Sequence, residues 1–111
     1  MKKYLVLYRS TTSAVEQMGK ATPEQAKAGM EAWMAWATRA GSGVVDLGHP
    51  VGNPHYFSGT PSSTHTHVTG FSILQAEDEG ALRLLLVGHP HIHVPGNSIE
   101  AFEFLAIPGS G

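Results

Sequence analysis

The pattern of apolar and polar positions along this chain predicts four strands and two helices. Residues 3–9 are β-prone, apolar on both faces and without glycine or proline, which indicates a central strand. Shorter apolar runs at 44–47 and 98–107 predict two further strands, and the alternation over 65–76 predicts another. The segment 10–20 is polar and rich in serine and threonine, so we expect a loop with room for a short helical turn.

Start and stop signals place the first helix between residues 23 and 40. Thr22 can cap this helix, Pro23 occupies its first position and Gln25 completes a capping box. Gly41 can adopt the left-handed conformation that ends a helix, so the helix should stop near Ala40.

Helical spacing also predicts which side chains the two helices bury. The stripe of the first helix comprises Met30, Trp33, Met34, Ala37 and Ala40. Trp36 lies off this stripe, so we expect it to flank the core or to contact another subunit. The second helix begins with the acidic run 77–79, which suits the positive end of the helix dipole, and Gly88 ends it. Its buried face should consist of Leu82, Leu85 and Leu86.

The order of these elements predicts an α+β domain of ferredoxin-like topology, βαββαβ, over residues 1–111. In this arrangement a four-stranded antiparallel sheet carries two helices on one face. The opposite face would present apolar and aromatic side chains, which soluble proteins rarely leave in water. We therefore expect a homodimer in which two sheets pack against each other.

Composition and charge exclude several classes of partner. The formal net charge is −2, and the seven lysine and arginine residues form no stripe, which argues against nucleic acid and anionic membrane surfaces. No apolar run approaches the roughly 18 residues of a membrane span, and the run 4–9 is too short for a secretory signal. The chain has no cysteine, which removes thiolate and disulfide chemistry and fits a cytoplasmic location.

Two residues are candidates for acid–base catalysis. Asp46 follows two valines at the end of a predicted strand, where a carboxylate could act as a base or orient an imidazole. His91 follows Pro90 in the turn after the second helix, and an imidazole exchanges protons near neutral pH. The alternative is structural: Asp46 would bond its own loop backbone, and His91 would tie down its turn.

Further residues are candidates for substrate binding, namely Tyr8, Arg9, His49, His89 and His93. Tyr8 and Arg9 end the first strand, where Arg9 could hold a substrate carboxylate. His49 lies in a loop rich in glycine and proline and could line a pocket mouth. No glycine-rich phosphate loop and no nucleophile elbow is present, which argues against nucleotide cofactors and acyl-enzyme chemistry.

The histidines also raise a metal hypothesis. In an extended segment, alternate side chains share a face, so imidazoles could converge on a divalent ion such as Zn²⁺. The candidate ligands are His65, His67, His89, His91 and His93. Pro90 and Pro95 make the second segment irregular, however, and no acidic residue adjoins it. We therefore expect no cofactor and keep the divalent metal as an alternative.

Five segments match a known family in the same order: MKKYLVLY (1–8), MEAWMAW (30–36), VDLGHP (45–50), VTGFSILQAE (68–77), and GHPH (88–91) leading into GNSIE (96–100). Together they cover nearly the whole chain and resemble YCII-related proteins, in particular the DGPF-domain branch. Asp46, Gly48 and Pro50 keep the spacing of the family motif, but a literal Asp-Gly-Pro-Phe is absent. His89 stands where that branch often has cysteine.

This resemblance implies a dimeric α+β barrel and a small-molecule ligand. Relatives include a dehydrochlorinase for which a His–Asp pair has been proposed, and similar barrels include isomerases that transfer protons without a cofactor. We therefore predict a cofactor-independent lyase or isomerase that uses Asp46 and His91. The alternatives are a non-catalytic dimeric module that binds a small ligand, and a metal-dependent enzyme built on the histidines.

Overall fold

A four-stranded antiparallel sheet with three α-helices makes up this computed structural model, which describes residues 1–59 and 66–109. The strands are β1 (Lys2–Ser10), β2 (Val44–Asp46), β3 (His67–Ala76) and β4 (Ser98–Glu103), in the order β2-β3-β1-β4. The helices are α1 (Ala14–Lys20), α2 (Pro23–Ala40) and α3 (Glu79–Leu86). The predicted α+β class and antiparallel sheet are confirmed, and the strand order is compatible with a ferredoxin-like arrangement.

The polar segment after β1 forms the helix α1, where its composition predicted a loop. The Oγ of Ser13 accepts a hydrogen bond from the backbone N–H of Glu16 at 3.2 Å and donates one to the Glu16 carboxylate, also at 3.2 Å. The first of these bonds satisfies one of the backbone donors that a helix start leaves open. The loop prediction was therefore wrong over residues 14–20.

The buried face of α2 differs from the predicted stripe. Trp36 is only 1% exposed, and its Nε1 donates a hydrogen bond to the Leu85 carbonyl at 2.8 Å. Met30 and Met34, which the stripe included, are exposed. An indole has the larger apolar surface to bury, and the end of α3 supplies the acceptor that its N–H needs. In the described residues 1–59 and 66–109, no helix is long and apolar enough to cross a membrane.

The two faces of the sheet differ in how far they are covered. Tyr4, Val6 and Tyr8 of β1 are buried against the helices together with Trp36 and Leu82. The opposite face is called here the open sheet face. It carries the side chains that alternate along β1 with the buried ones, together with their partners on the neighbouring strands. They are Leu5, Leu7, Phe71, Ile73 and Phe102. The first four are half-buried and Phe102 is exposed, so this face lacks a complete cover.

A β-bulge interrupts the pairing of β1 with β3. Tyr8 lies opposite Gly70 and Arg9 lies opposite Val68, which leaves Thr69 as the extra residue. The Thr69 hydroxyl donates a hydrogen bond to the Tyr8 carbonyl at 3.1 Å. Because Thr69 and Gly70 are both buried, the strict alternation predicted for this strand was wrong at this point.

The loop after β2 runs along the edge of β3 at a distance that only glycine permits. The Phe71 N–H donates to the His49 carbonyl at 3.3 Å, and the Val51 N–H donates to the Thr69 carbonyl at 3.0 Å. Gly48 has a φ of +81°, and a Cβ there would lie 1.7 Å from the Phe71 carbonyl oxygen. This close approach fixes the position of His49 beside the sheet.

We expect Gly48→Ala to lower the free energy of unfolding by more than about 3 kcal/mol, because its methyl group would collide with strand backbone. Gly59→Ala is the matched control, since Gly59 has a φ of +78° but no atom of the described residues within 4 Å of its Cβ position. That control carries only the left-handed strain of about 1 kcal/mol. Urea unfolding measures both values, and equal losses would contradict the close approach.

Candidate functional site

A cavity of about 270 Å³ lies between the sheet, α1 and α2. Its walls are mainly apolar, and buried polar side chains interrupt them. The lining residues that the following paragraphs use are Tyr8, Trp33, Leu47, His49, Thr69 and His91. A pocket with apolar walls and a few fixed polar groups is the usual form of a small-molecule site.

His91 reaches this cavity from a short 3₁₀ turn, Pro90–His93. Gly88, with a φ of +72°, follows the end of α3, and Pro90 supplies the fixed φ that starts the turn. The Nε2 of His91 lies 2.8 Å from the Arg9 carbonyl oxygen, and its Nδ1 lies 3.3 Å from the Asn97 amide nitrogen. Because a carbonyl oxygen can only accept, Nε2 carries the proton and Nδ1 is the basic atom.

His89 lies below His91 inside a group of aromatic rings. Its ring stacks on Tyr8 with centroids 5.0 Å apart and contacts Trp33 and Trp36 at 4.5 and 4.4 Å. Its Nδ1 accepts the backbone N–H of His91 at 3.0 Å, so its proton is on Nε2, which has no hydrogen-bond partner among the described residues. Burial lowers the pKa of His89 to about 4, and the neighbouring His91 adds to this effect.

Tyr8 joins the cavity to the sheet through a chain of hydroxyl groups. Its hydroxyl donates to the Ser72 Oγ at 2.9 Å, and the Ser72 hydroxyl donates to the Leu47 carbonyl at 2.6 Å. Burial raises the pKa of Tyr8 to about 12. Tyr8 is therefore a neutral phenol at ordinary pH, and its proton is already used inside the protein.

Asp46 does not line the cavity with His91. Its carboxylate is exposed and accepts the backbone N–H of Gly48 at 2.9 Å, which is the loop-bonding geometry of the structural alternative. No hydrogen bond joins Asp46 to His91 in the part of the chain that the structure describes. The geometry of this single chain therefore separates the two predicted catalytic residues.

The predicted substrate-binding residues are divided in the same way. Tyr8 and His49 line the cavity, Tyr8 as a buried residue and His49 as an exposed one. His89 is buried behind the wall, and His93 is exposed outside it. The Arg9 Nε forms an ion pair with Glu100 at 3.0 Å, so its charge is already matched away from the cavity.

The histidines do not converge as an extended segment would require. The 3₁₀ turn buries His89 and His91 but exposes His93, so the predicted shared face was wrong. His67 is exposed on β3, and His65 lies outside the described residues. Over residues 1–59 and 66–109, no three histidine, aspartate or glutamate side chains are grouped to hold a metal ion.

The residues of the site that were not predicted include Trp33, Thr69 and Asn97. Trp33 was assigned only to the core, although it also lines the cavity. Thr69 enters the wall through the bulge, which period-two alternation hides. Asn97 directly follows the Pro95-Gly96 turn, a position where a side-chain amide often bonds nearby backbone, and it donates to the His91 carbonyl at 3.1 Å.

No model of a known protein family matches the chain, and no curated protein matches it either. The resemblance to YCII-related proteins therefore stays a prediction from the sequence.

We expect the stability of this fold to fall between pH 6.5 and pH 4 because His89 titrates. The pKa of His89 is lower in the folded than in the unfolded chain. Its contribution to the free energy of unfolding is therefore complete above pH 6.5 and is lost as the pH falls towards 4. The loss should reach up to about 3 kcal/mol. Urea unfolding across this range measures it.

His89→Asn should flatten this pH dependence, because the Asn Oδ1 can accept the His91 N–H in place of the His89 Nδ1 without titrating. His93→Asn is the matched control, since His93 is exposed on the same turn. If His89→Asn kept the full pH dependence, His89 would not be its source.

Proposed function

We propose that this protein is a cofactor-independent enzyme of the lyase or isomerase type that transfers a proton on a small molecule in the cavity, with His91 as the proton acceptor. The observation that carries the proposal is the position of His91 in the cavity wall, with its Nε2 2.8 Å from the Arg9 carbonyl oxygen. The Arg9 carbonyl holds Nε2–H in place, so Nδ1 is the only atom of this ring that can take a proton.

Asn97 supplies the second part of the proposed chemistry. Its amide nitrogen contacts Nδ1 of neutral His91, while its Oδ1 is buried without a hydrogen-bond partner in the described structure. When Nδ1 takes a proton it becomes a donor, and the Asn97 amide can turn its oxygen towards it by giving up its bond to the His91 carbonyl. Both protonation states of His91 would then have a partner, which lowers the cost of charging a buried ring.

Asp46 has a different place in this proposal from the one predicted. Its bond to Gly48 N–H stabilises the turn that brings His49 to the cavity. Proton transfer at His91 needs no carboxylate in the wall, since Asn97 already orients the ring. Asp46 thus acts on the shape of the site.

A non-catalytic binding module is the second candidate, and one observation favours it. Both ring nitrogens of His91 take part in contacts within the protein, at 2.8 and 3.3 Å. A histidine with this role would stabilise the cavity wall and leave a bound ligand unchanged. The two candidates share the cavity and differ only in whether His91 exchanges a proton with the ligand.

His91→Ala should lower the rate of proton exchange by about 100-fold or more, the usual contribution of a general base. The measurement is deuterium incorporation from D₂O next to the carbonyl of small carbonyl compounds, followed by proton NMR with wild-type protein as reference. His93→Ala on the same turn is the control and should exchange at the wild-type rate. Full exchange by His91→Ala would remove the catalytic proposal and leave the binding module.

We also propose that the chain forms a homodimer through the open sheet face, giving a ferredoxin-like α+β barrel in the cytoplasm. The chain is flat, with principal extents of 47 × 40 × 20 Å and a radius of gyration of 15.3 Å. A compact domain of this length has a radius of about 13 Å. A second sheet would cover the apolar side chains of the open sheet face and complete a two-sided core.

Phe102→Lys should convert the dimer to a monomer in light scattering after gel filtration, because it places a charge in the proposed interface. Ala101→Lys is the matched control, since Ala101 precedes Phe102 in β4 and points to the other side of the sheet. Circular dichroism confirms that both variants fold. A monomeric wild type, or a Phe102→Lys variant that stays dimeric, would contradict this interface.

A further inference from the structure

None of the described residues that line the cavity is a lysine, arginine, aspartate or glutamate. Arg9, which directly follows the lining residue Tyr8, forms an ion pair with Glu100 and does not line the cavity. An anionic ligand would therefore enter a largely apolar site in which no lysine or arginine of the described residues offers a counter-ion, at a high desolvation cost.

The buried polar groups of the wall have already committed their hydrogens. Tyr8 donates its hydroxyl hydrogen to Ser72, and Thr69 donates its own to the Tyr8 carbonyl. His91 donates Nε2–H to the Arg9 carbonyl. All three lining side chains are buried, and the Nδ1 of His91 already contacts the Asn97 amide nitrogen at 3.3 Å, so what remains for a ligand is lone pairs on the hydroxyl oxygens of Tyr8 and Thr69.

We propose that the cavity selects uncharged ring compounds that present a hydrogen-bond donor, such as a hydroxyl group, and rejects carboxylates of the same size. The proposal rests on the proposed function, because it concerns the ligand of the same cavity. Apolar and aromatic walls, including Trp33, suit the ring, and the lone pairs suit the donor. The sequence predicted that Arg9 would hold a substrate carboxylate. In this proposal Arg9 lies outside the cavity lining, and the cavity disfavours carboxylate ligands. A volume near 270 Å³ lies just below the range of about 300–1,000 Å³ that is usual for ligand sites, and it fits a molecule of one or two rings.

Three probes separate the contributions: benzyl alcohol, ethylbenzene and benzoate. Ethylbenzene has a methyl group in place of the hydroxyl, so it tests the donor at nearly constant size. Titration of isotope-labelled protein, followed by NMR shifts of the Trp33 indole and of the Thr69 and His91 amides, gives the three dissociation constants. We expect benzyl alcohol to bind about fivefold tighter than ethylbenzene and at least about tenfold tighter than benzoate.

Thr69→Val tests the wall itself, because it removes a hydroxyl oxygen at nearly constant volume. This substitution should weaken the binding of benzyl alcohol and leave the dissociation constant of ethylbenzene unchanged. Thr38→Val is the matched control: Thr38 is exposed on α2 and donates to the Met34 carbonyl, outside the lining. Circular dichroism establishes that both variants fold.

The outcomes distinguish this inference from the proposed function. If benzoate or ethylbenzene binds as tightly as benzyl alcohol, the selection for an uncharged donor is wrong while the cavity remains a ligand site. If none of the probes shifts the cavity signals, both the selection and the small-molecule site are overturned. The expected order of affinities with the loss in Thr69→Val supports the inference.

Discussion

The packing of Tyr8 is the interaction on which the rest of the site depends. Its ring stacks on His89 and meets Trp33 edge-on at 4.7 Å, so it joins the sheet to α2 and to the 3₁₀ turn. Its hydroxyl reaches Ser72 on β3, and its carbonyl accepts the Thr69 hydroxyl. The next carbonyl, that of Arg9, holds His91. Two consecutive residues of one strand thus set the positions of both buried histidines relative to the bulge.

Much of the framework follows from local signals in the sequence. The Thr22 capping box, which the structure contains in full, and Gly41 bound α2 as predicted. Asp78 caps α3, whose Leu82 is buried as the apolar spacing requires. These features could be predicted because each depends on residues within one or two helical turns. The loop prediction for the segment of α1 was wrong because serine and threonine are common both at helix caps and in loops.

The site was only partly predictable, because its contacts join distant segments. That Tyr8, His49 and His91 share a cavity could be guessed from the placement of strand ends and turns. The division between His91 and Asp46 could not, since it depends on whether the Asp46 carboxylate turns to its own loop or across the sheet. The rotation of α2 that buries Trp36 depends on one carbonyl of α3, Leu85, which lies 49 positions away. No periodicity within α2 encodes that acceptor.

The central place of β1 has a consequence for how the chain folds. The first strand pairs with β3 on one edge and with the last strand on the other, so that Tyr4 lies opposite Glu103. During synthesis, β1 is made before the other three strands of this sheet, and it gains its second neighbour only when β4 follows. Contacts between distant segments slow folding, and a strand that is apolar on both faces is prone to aggregate until it is paired. A chain that stops before β4 would therefore leave this strand with an unpaired edge for as long as it exists.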